Sequence, residues 1–149
     1  MTMQKTPTHL WIVGILALLW NSFGALDYTM TQFRVAGWIE TMMPGVDPQI
    51  VFDWVERAPL ITHFFWAIGV WGGVVGAILL LMRNANAVAT LALSLIGAVG
   101  GLVMGMLGSA DRPEELGGSG IDPIMVGVVF IAIALFAYAR KQKANGVLQ

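Results

Sequence analysis

The sequence predicts an all-α membrane protein, a four-helix transmembrane bundle with a short amphipathic helix in its first outer loop. Three observations predict it. The 149 residues are 57% hydrophobic and only 11% charged, whereas soluble domains carry about 25% charged residues. The mean hydropathy is +0.75. Four separate apolar stretches each approach the roughly 20 helical residues that cross a bilayer core.

Length and charge restrict the class of protein further. A soluble domain of this size leaves too much surface exposed to hide so many apolar side chains. The formal net charge of −1 gives no support to a nucleic-acid partner. The chain contains no cysteine, which excludes disulfides, thiolate metal sites and cysteine nucleophiles.

The predicted spans cover residues 10–30, 60–82, 87–107 and 121–139 of a single domain, residues 1–149. Each is continuously apolar rather than alternating, so helices are expected rather than strands. The dipeptide Asp122-Pro123 is typical of a helix N-cap followed by the first helical residue. The short turn at Arg83-Asn84 predicts that spans two and three form a tight antiparallel hairpin.

Two outer segments, residues 31–59 and 108–120, join these spans. In the first, Asp47-Pro48 again predicts a cap. Apolar residues then recur at helical spacing up to Arg57, which predicts an amphipathic helix from Gln49 to Arg57 on the membrane surface. In the second, the glycine-rich run 117–120 predicts a flexible linker.

The charge distribution predicts that both termini lie inside. With the N-terminus inside, the inner segments contain five basic residues and no acidic residue, and the outer segments contain three basic and eight acidic residues. Basic residues favour the cytoplasmic side. The inner basic residues are Lys5, Arg83, Arg140, Lys141 and Lys143.

A signal peptide is the competing interpretation of the N-terminus, because Lys5 precedes an apolar run and Ser22-Phe23-Gly24 resembles a cleavage site. That run continues past the site, which favours a retained span.

Glycines at four-residue spacing mark the second and third spans. Such residues allow helix backbones to approach closely in lipid. The interpretations are packing between these spans in one chain, a homo-oligomer interface, or both. The residues are Gly69, Gly72, Gly73, Gly76, Gly97, Gly101 and Gly105.

Two tryptophans, Trp20 and Trp71, fall near the middle of their spans. We expect both to pack between helices.

Four polar residues form the candidate polar or transport site: Asn21, Asp27, Tyr28 and His63. Asn21 is the deepest, and Asp27 is the only acid within a span. Asp27 and His63 lie at similar depths near the outer side, so they can either form a proton-binding pair or orient two helices. For Asn21, an interhelical hydrogen bond and a solute path are both open.

No cofactor, metal or catalytic residue is expected. His9 and His63 lie at opposite ends of their spans, on the order of 25 Å apart across the bilayer, which is too far for one haem iron. The nine methionines are scattered, as packing residues are. Phosphate-binding loops and the common hydrolase motifs are absent from the sequence.

The stretches Trp20 to Gln32 and Trp66 to Gly73 resemble a family of small, uncharacterised four-helix bacterial inner-membrane proteins. Some of its members are loosely labelled "sugar transporter". The resemblance covers the first two spans well and the second half by hydropathy alone. It implies a four-span fold in a bacterial inner membrane and a role for Asn21, Asp27 and Tyr28, and it implies no established activity.

The expected function is that of a non-catalytic accessory or scaffold component of a membrane assembly. The glycine faces and the scarcity of deep polar groups favour it. The alternative is a small oligomeric solute or proton-coupled transporter using the four polar residues. The expected partners are the lipid bilayer and either further copies of the chain or another membrane subunit.

Overall fold

A computed structural model describes residues 6–149, and the described part is helical throughout its regular structure. Four of the helices are long and apolar enough to cross a membrane, which confirms the four-helix bundle. The helices are α1 (Thr8–Gln32), α2 (Ala36–Met42), α3 (Pro48–Arg57), α4 (Leu60–Leu81), α5 (Ala87–Leu107) and α6 (Pro123–Ala144). Lys5 lies outside the described residues.

The helix ends differ from the predicted spans where polar residues continue a helix. Helix α1 begins at Thr8 and ends at Gln32 rather than covering 10–30. Helix α6 starts at Pro123 and runs to Ala144 instead of stopping at 139, because Arg140 to Lys143 are good helix formers. Hydropathy marks the apolar part of a helix, and backbone hydrogen bonding continues beyond it.

The spans pack in the order α1, α4, α5, α6, with α4 making the most extensive contacts. Helices α1 and α6 meet at one end, where His9 Nδ1 lies 2.6 Å from the Tyr138 hydroxyl. We call this the terminal end: it contains the start of α1, the α4–α5 turn and the end of α6. The opposite end, which contains α2, α3 and the α5–α6 connection, is the cap end.

The α4–α5 hairpin is the tightest helix pair. A Cβ atom on Gly97 would lie 2.6 Å from the Gly69 Cα and 2.7 Å from the Phe65 carbonyl oxygen. The Ser94 hydroxyl donates to the Gly69 carbonyl at 2.6 Å. The two backbones are therefore in direct contact, as small residues permit in lipid.

The terminal end is closed by residues 145–149. Val147 and Leu148 are buried in a cluster with Leu10 and Leu80. Arg83, which follows α4, donates from Nε to the Val147 carbonyl at 3.1 Å and from Nη1 to the Thr6 hydroxyl at 3.2 Å. One arginine thus joins both terminal segments to the hairpin turn.

The cap end has a small core of its own, formed by Ile39, Val51 and Phe52. The Asp47 carboxylate accepts from the Gln49 backbone N–H at 2.9 Å, so the predicted cap begins α3. Because α2 and α3 share this core, the first connecting segment is a folded helical unit rather than an open loop.

The glycine-rich segment 117–120 is not the free linker that its composition predicts. Arg112 donates to the Gly118 and Gly120 carbonyl oxygens, each at 2.7 Å, and its Nη1 lies 3.7 Å from the Asp122 carboxylate. The Asp122 carboxylate also accepts from the Ile124 N–H at 2.8 Å. One guanidinium therefore folds the segment against the start of α6.

The prediction that Trp20 and Trp71 pack between helices is wrong. Their exposed fractions are 42% and 49%. The interhelical positions at this level are filled by glycines and small side chains, which leave no room for an indole ring. Both rings face outwards, where the lipid tails would lie.

Candidate functional site

Asn21 lies where three spans meet. Its side-chain amide donates to the Ala17 carbonyl, one turn earlier, at 2.8 Å. A Cβ atom on Gly73 would lie 2.5 Å from the Asn21 Cγ and 3.1 Å from the Ser94 Oγ. The amide therefore occupies the space that Gly73 leaves open, opposite the hydroxyl of Ser94. This group, which we call the Asn21 node, joins α1, α4 and α5.

Asp27 and His63 do not pair with each other in the structure. Asp27 Oδ1 accepts from the Trp38 indole N–H at 2.8 Å. His63 Nδ1 lies 3.0 Å from the Gln32 side-chain nitrogen. The Asp27 contact joins α1 to α2, so it fixes the cap on the bundle.

Tyr28 contacts α4 through its ring. It meets Trp66 edge to face, with ring centroids 5.1 Å apart, an arrangement that aromatic pairs favour. The structure therefore does not bring the four predicted polar residues together. Asn21, Asp27, Tyr28 and His63 each contact a different partner.

A polar groove lies at the cap end, between the end of α1, α3 and the start of α4. Its volume is about 300 Å³. We call it the cap groove. Its lining combines an arginine, a carboxylate, an imidazole and an amide around two apolar side chains. The residues are Thr31, Gln32, Arg34, Phe52, Val55, Glu56 and His63.

Arg34 makes two contacts within the cap groove, one with Glu56 and one with Phe52. Its Nη1 lies 3.0 Å from Glu56 Oε2, and its guanidinium carbon lies 5.1 Å from the centre of the Phe52 ring. The pair remains accessible, with side-chain exposures of 47% for Arg34 and 70% for Glu56.

Of the residues that line the groove, only His63 belongs to the polar site predicted from the sequence. Gln32, Arg34 and Glu56 look like ordinary residues of an outer segment. The available signal is the position of Arg34 just after the α1 span, where many helices end in a left-handed residue that is usually glycine. An arginine there adopts a positive φ of 55°.

The predicted glycines divide among three partners. Gly69, Gly72, Gly76 and Gly97 contact the facing helix of the hairpin, and Gly73 faces Asn21. A Cβ on Gly101 would meet Met125 of α6 at 3.4 Å, and Gly105 has open space within 4 Å. Three close approaches lie outside the predicted set: Gly14 to Leu81, Gly24 to Val70 and Gly100 to Phe65.

Comparison with known proteins adds no family assignment. No protein-family model, no curated protein and no solved structure matches the chain. The roles of the polar residues and the resemblance to bacterial inner-membrane proteins stay predictions.

Proposed function

We propose that this chain is a non-catalytic accessory or scaffold component of a larger membrane assembly in a bacterial inner membrane. The observation that carries the proposal is the Asn21 node. The deepest strongly polar side chain of α1 fills a glycine notch between three helices. The Asn21 amide is hydrogen-bonded within α1, to Ala17, so it supports the helix contact by filling the notch, while Ser94 supplies a hydrogen bond between α5 and α4. In lipid, close packing and such bonds take the place of the hydrophobic drive.

The polar contact nearer the cap end supports the same role. Asp27 is engaged by Trp38, and through it α1 holds the short helix α2. The Asn21 node and the Asp27–Trp38 contact each lie between different helices of the chain. A bundle whose polar side chains connect its own helices suits a subunit that presents an apolar surface to others.

The proposed orientation has both termini on the cytoplasmic side. At the terminal end, Arg83, Arg140, Lys141 and Lys143 are accompanied by no acidic residue among the described residues of that end. Basic residues near span ends favour the cytoplasm. In this orientation the cap end and its groove lie on the opposite face of the membrane.

The alternative is an oligomeric solute or proton-coupled transporter. The specific observation that favours it is the depth of Asn21 and Ser94, which place an amide and a hydroxyl close together in mid-span. In such a transporter, Asp27, Tyr28 and His63 would act together with Asn21, and Asp27 would be a proton-binding group. One bundle of this size would need a second copy to enclose a path.

Proton flux in reconstituted vesicles separates the scaffold function from proton transport by this chain. The purified chain is placed in vesicles that contain a pH-sensitive dye, and a pH gradient and membrane potential are imposed. We expect the vesicles to acidify no faster than protein-free vesicles, and Asp27→Asn to leave that rate unchanged. Asp27→Ala should instead lower the free energy of unfolding by about 1 kcal/mol, because it removes the hydrogen bond from Trp38.

Glu40→Gln serves as the control, since it neutralises an exposed acid at the same end. Acceleration by the wild-type chain that Asp27→Asn abolishes and Glu40→Gln preserves would contradict the scaffold function and favour transport.

A further inference from the structure

The cap groove lies at the level where a span gives way to the membrane surface. Helix α1 ends at Gln32, α4 begins at Leu60, and the amphipathic helix α3 borders the groove between them. Phospholipid headgroups occupy this level of a bilayer. A volume of about 300 Å³ matches the small end of ligand-binding sites.

The backbone of Arg34 is held in a conformation that arginine rarely adopts. Its φ is 55°, and the Val35 N–H donates to the Met30 carbonyl at 2.9 Å, which closes the glycine-type helix end. Strained residues persist where the surrounding structure fixes them, and they concentrate at binding sites. In this conformation the guanidinium lies over the Phe52 ring and beside Glu56.

His63 offers the groove a hydrogen-bond donor. The Gln32 amide nitrogen can only donate, so its contact at 3.0 Å makes His63 Nδ1 the acceptor. With Nδ1 accepting, the donor that the ring offers is Nε2–H. The groove therefore combines donors from Arg34 and His63 with the acceptor oxygens of Glu56.

The charges around the groove disfavour a simple anion as its ligand. The cap end carries eight acidic and three basic residues, and Glu56 lies directly beside Arg34. A ligand that has both charges avoids this repulsion. Such a ligand can place its anionic oxygens against Arg34 and its ammonium group against Glu56, in place of the ion pair.

Three exposed apolar residues are close in sequence to residues that line the groove. Phe33 is 78% exposed, Leu60 83% and Phe64 56%, and they neighbour Gln32, Arg34 and His63 along α1 and α4. Large apolar side chains are exposed along all four spans, and these three lie beside the groove in sequence, where the acyl chains of a lipid held there would begin. A lipid therefore accounts for more of the surroundings than a free zwitterion does.

We propose that the cap groove binds the zwitterionic headgroup of a phospholipid with a primary ammonium group, its phosphate on Arg34 and its ammonium on Glu56. The Nε2–H of His63 is a further donor for the phosphate. Phe33, Leu60 and Phe64 contact the beginning of the acyl chains.

Native mass spectrometry of the full chain in mild detergent tests the proposal, with phosphatidylethanolamine titrated as the probe. We expect one lipid to be retained per chain. Arg34→Gln and Glu56→Gln should each weaken retention about tenfold, the effect of losing one hydrogen bond to a charged group. Arg57→Gln, which removes a neighbouring exposed charge from α3, should leave retention unchanged. Phosphatidylcholine should bind more weakly, because its methylated ammonium cannot donate to Glu56.

Three results would overturn the assignment. The first is stronger retention of phosphatidylglycerol, which would mean that the groove selects anions. The second is an equal loss in Arg57→Gln, which would place the lipid elsewhere. The third is displacement by glycerophosphoethanolamine at equal concentration, which would mean that the site takes a free zwitterion. Glu56→Gln keeps the shape of an exposed side chain, so it remains informative if Arg34→Gln fails to fold.

Discussion

Gly97→Ala is expected to lower the free energy of unfolding by about 3 kcal/mol, the upper range for overpacking a filled interior. The new Cβ would lie 2.6 Å from the Gly69 Cα and 2.7 Å from the Phe65 carbonyl oxygen. Backbone atoms cannot rotate away as a side chain can. Helices α4 and α5 must therefore separate, which also lengthens the hydrogen bond from Ser94 to Gly69. Denaturant titration in mixed micelles measures the loss.

Gly105→Ala is the matched control, on the same helix and two repeats of the glycine pattern away. Its Cβ would have open space within 4 Å, and alanine favours the helix over glycine by about 1 kcal/mol. We expect no loss of stability. Equal destabilisation by both substitutions would show that helix α5 is sensitive to any added methyl group, which would contradict close backbone contact at Gly97.

Arg83→Ala is expected to lower the free energy of unfolding by about 2 kcal/mol, because a charged donor loses its bonds to the Val147 carbonyl and the Thr6 hydroxyl. Arg83 also has a positive φ of 59°. Arg83→Gly loses the same bonds but removes the backbone strain, so it should be about 1 kcal/mol more stable than Arg83→Ala.

Hydrogen exchange at Gln149 locates the effect, since its N–H donates to the Arg83 carbonyl at 2.8 Å. Both substitutions should speed exchange at residues 147–149 more than in the middle of α5. Arg140→Ala, an exposed basic residue at the same end, is the control and should leave this exchange unchanged. A glycine variant less stable than the alanine variant would contradict the strained turn.

The features that follow from local sequence were predictable. Four apolar runs of bilayer length predict the spans, and Asp-Pro dipeptides predict the starts of α3 and α6. The Arg83-Asn84 turn predicts the hairpin. Each of these depends on residues close together in the chain, where propensity and capping act directly.

Partners across the bundle were not predictable in the same way. Gly69 and Gly73 lie on one glycine pattern, yet the first contacts α5 and the second faces α1. A helix that is apolar on every side carries no pattern that tells which face meets which neighbour. The outward positions of Trp20 and Trp71 have the same cause.

The partner of Asp27 depends on the chain reversal at Arg34, which no glycine or proline at that position predicts. Trp38 reaches Asp27 because the chain reverses at Arg34 through a left-handed residue, a position where glycine is the usual signal. Depth alone suggested His63 as a partner. The cap groove was missed for the same reason, since the reversal is what brings Arg34 and Glu56 together.

The mass and composition of the intact complex test the scaffold proposal most directly. The protein is extracted from its own membrane in mild detergent, and native mass spectrometry gives the subunits and their stoichiometry. We expect this chain together with at least one different polypeptide in a fixed ratio. A homo-oligomer that contains no other polypeptide would contradict the account and favour transport by this chain alone.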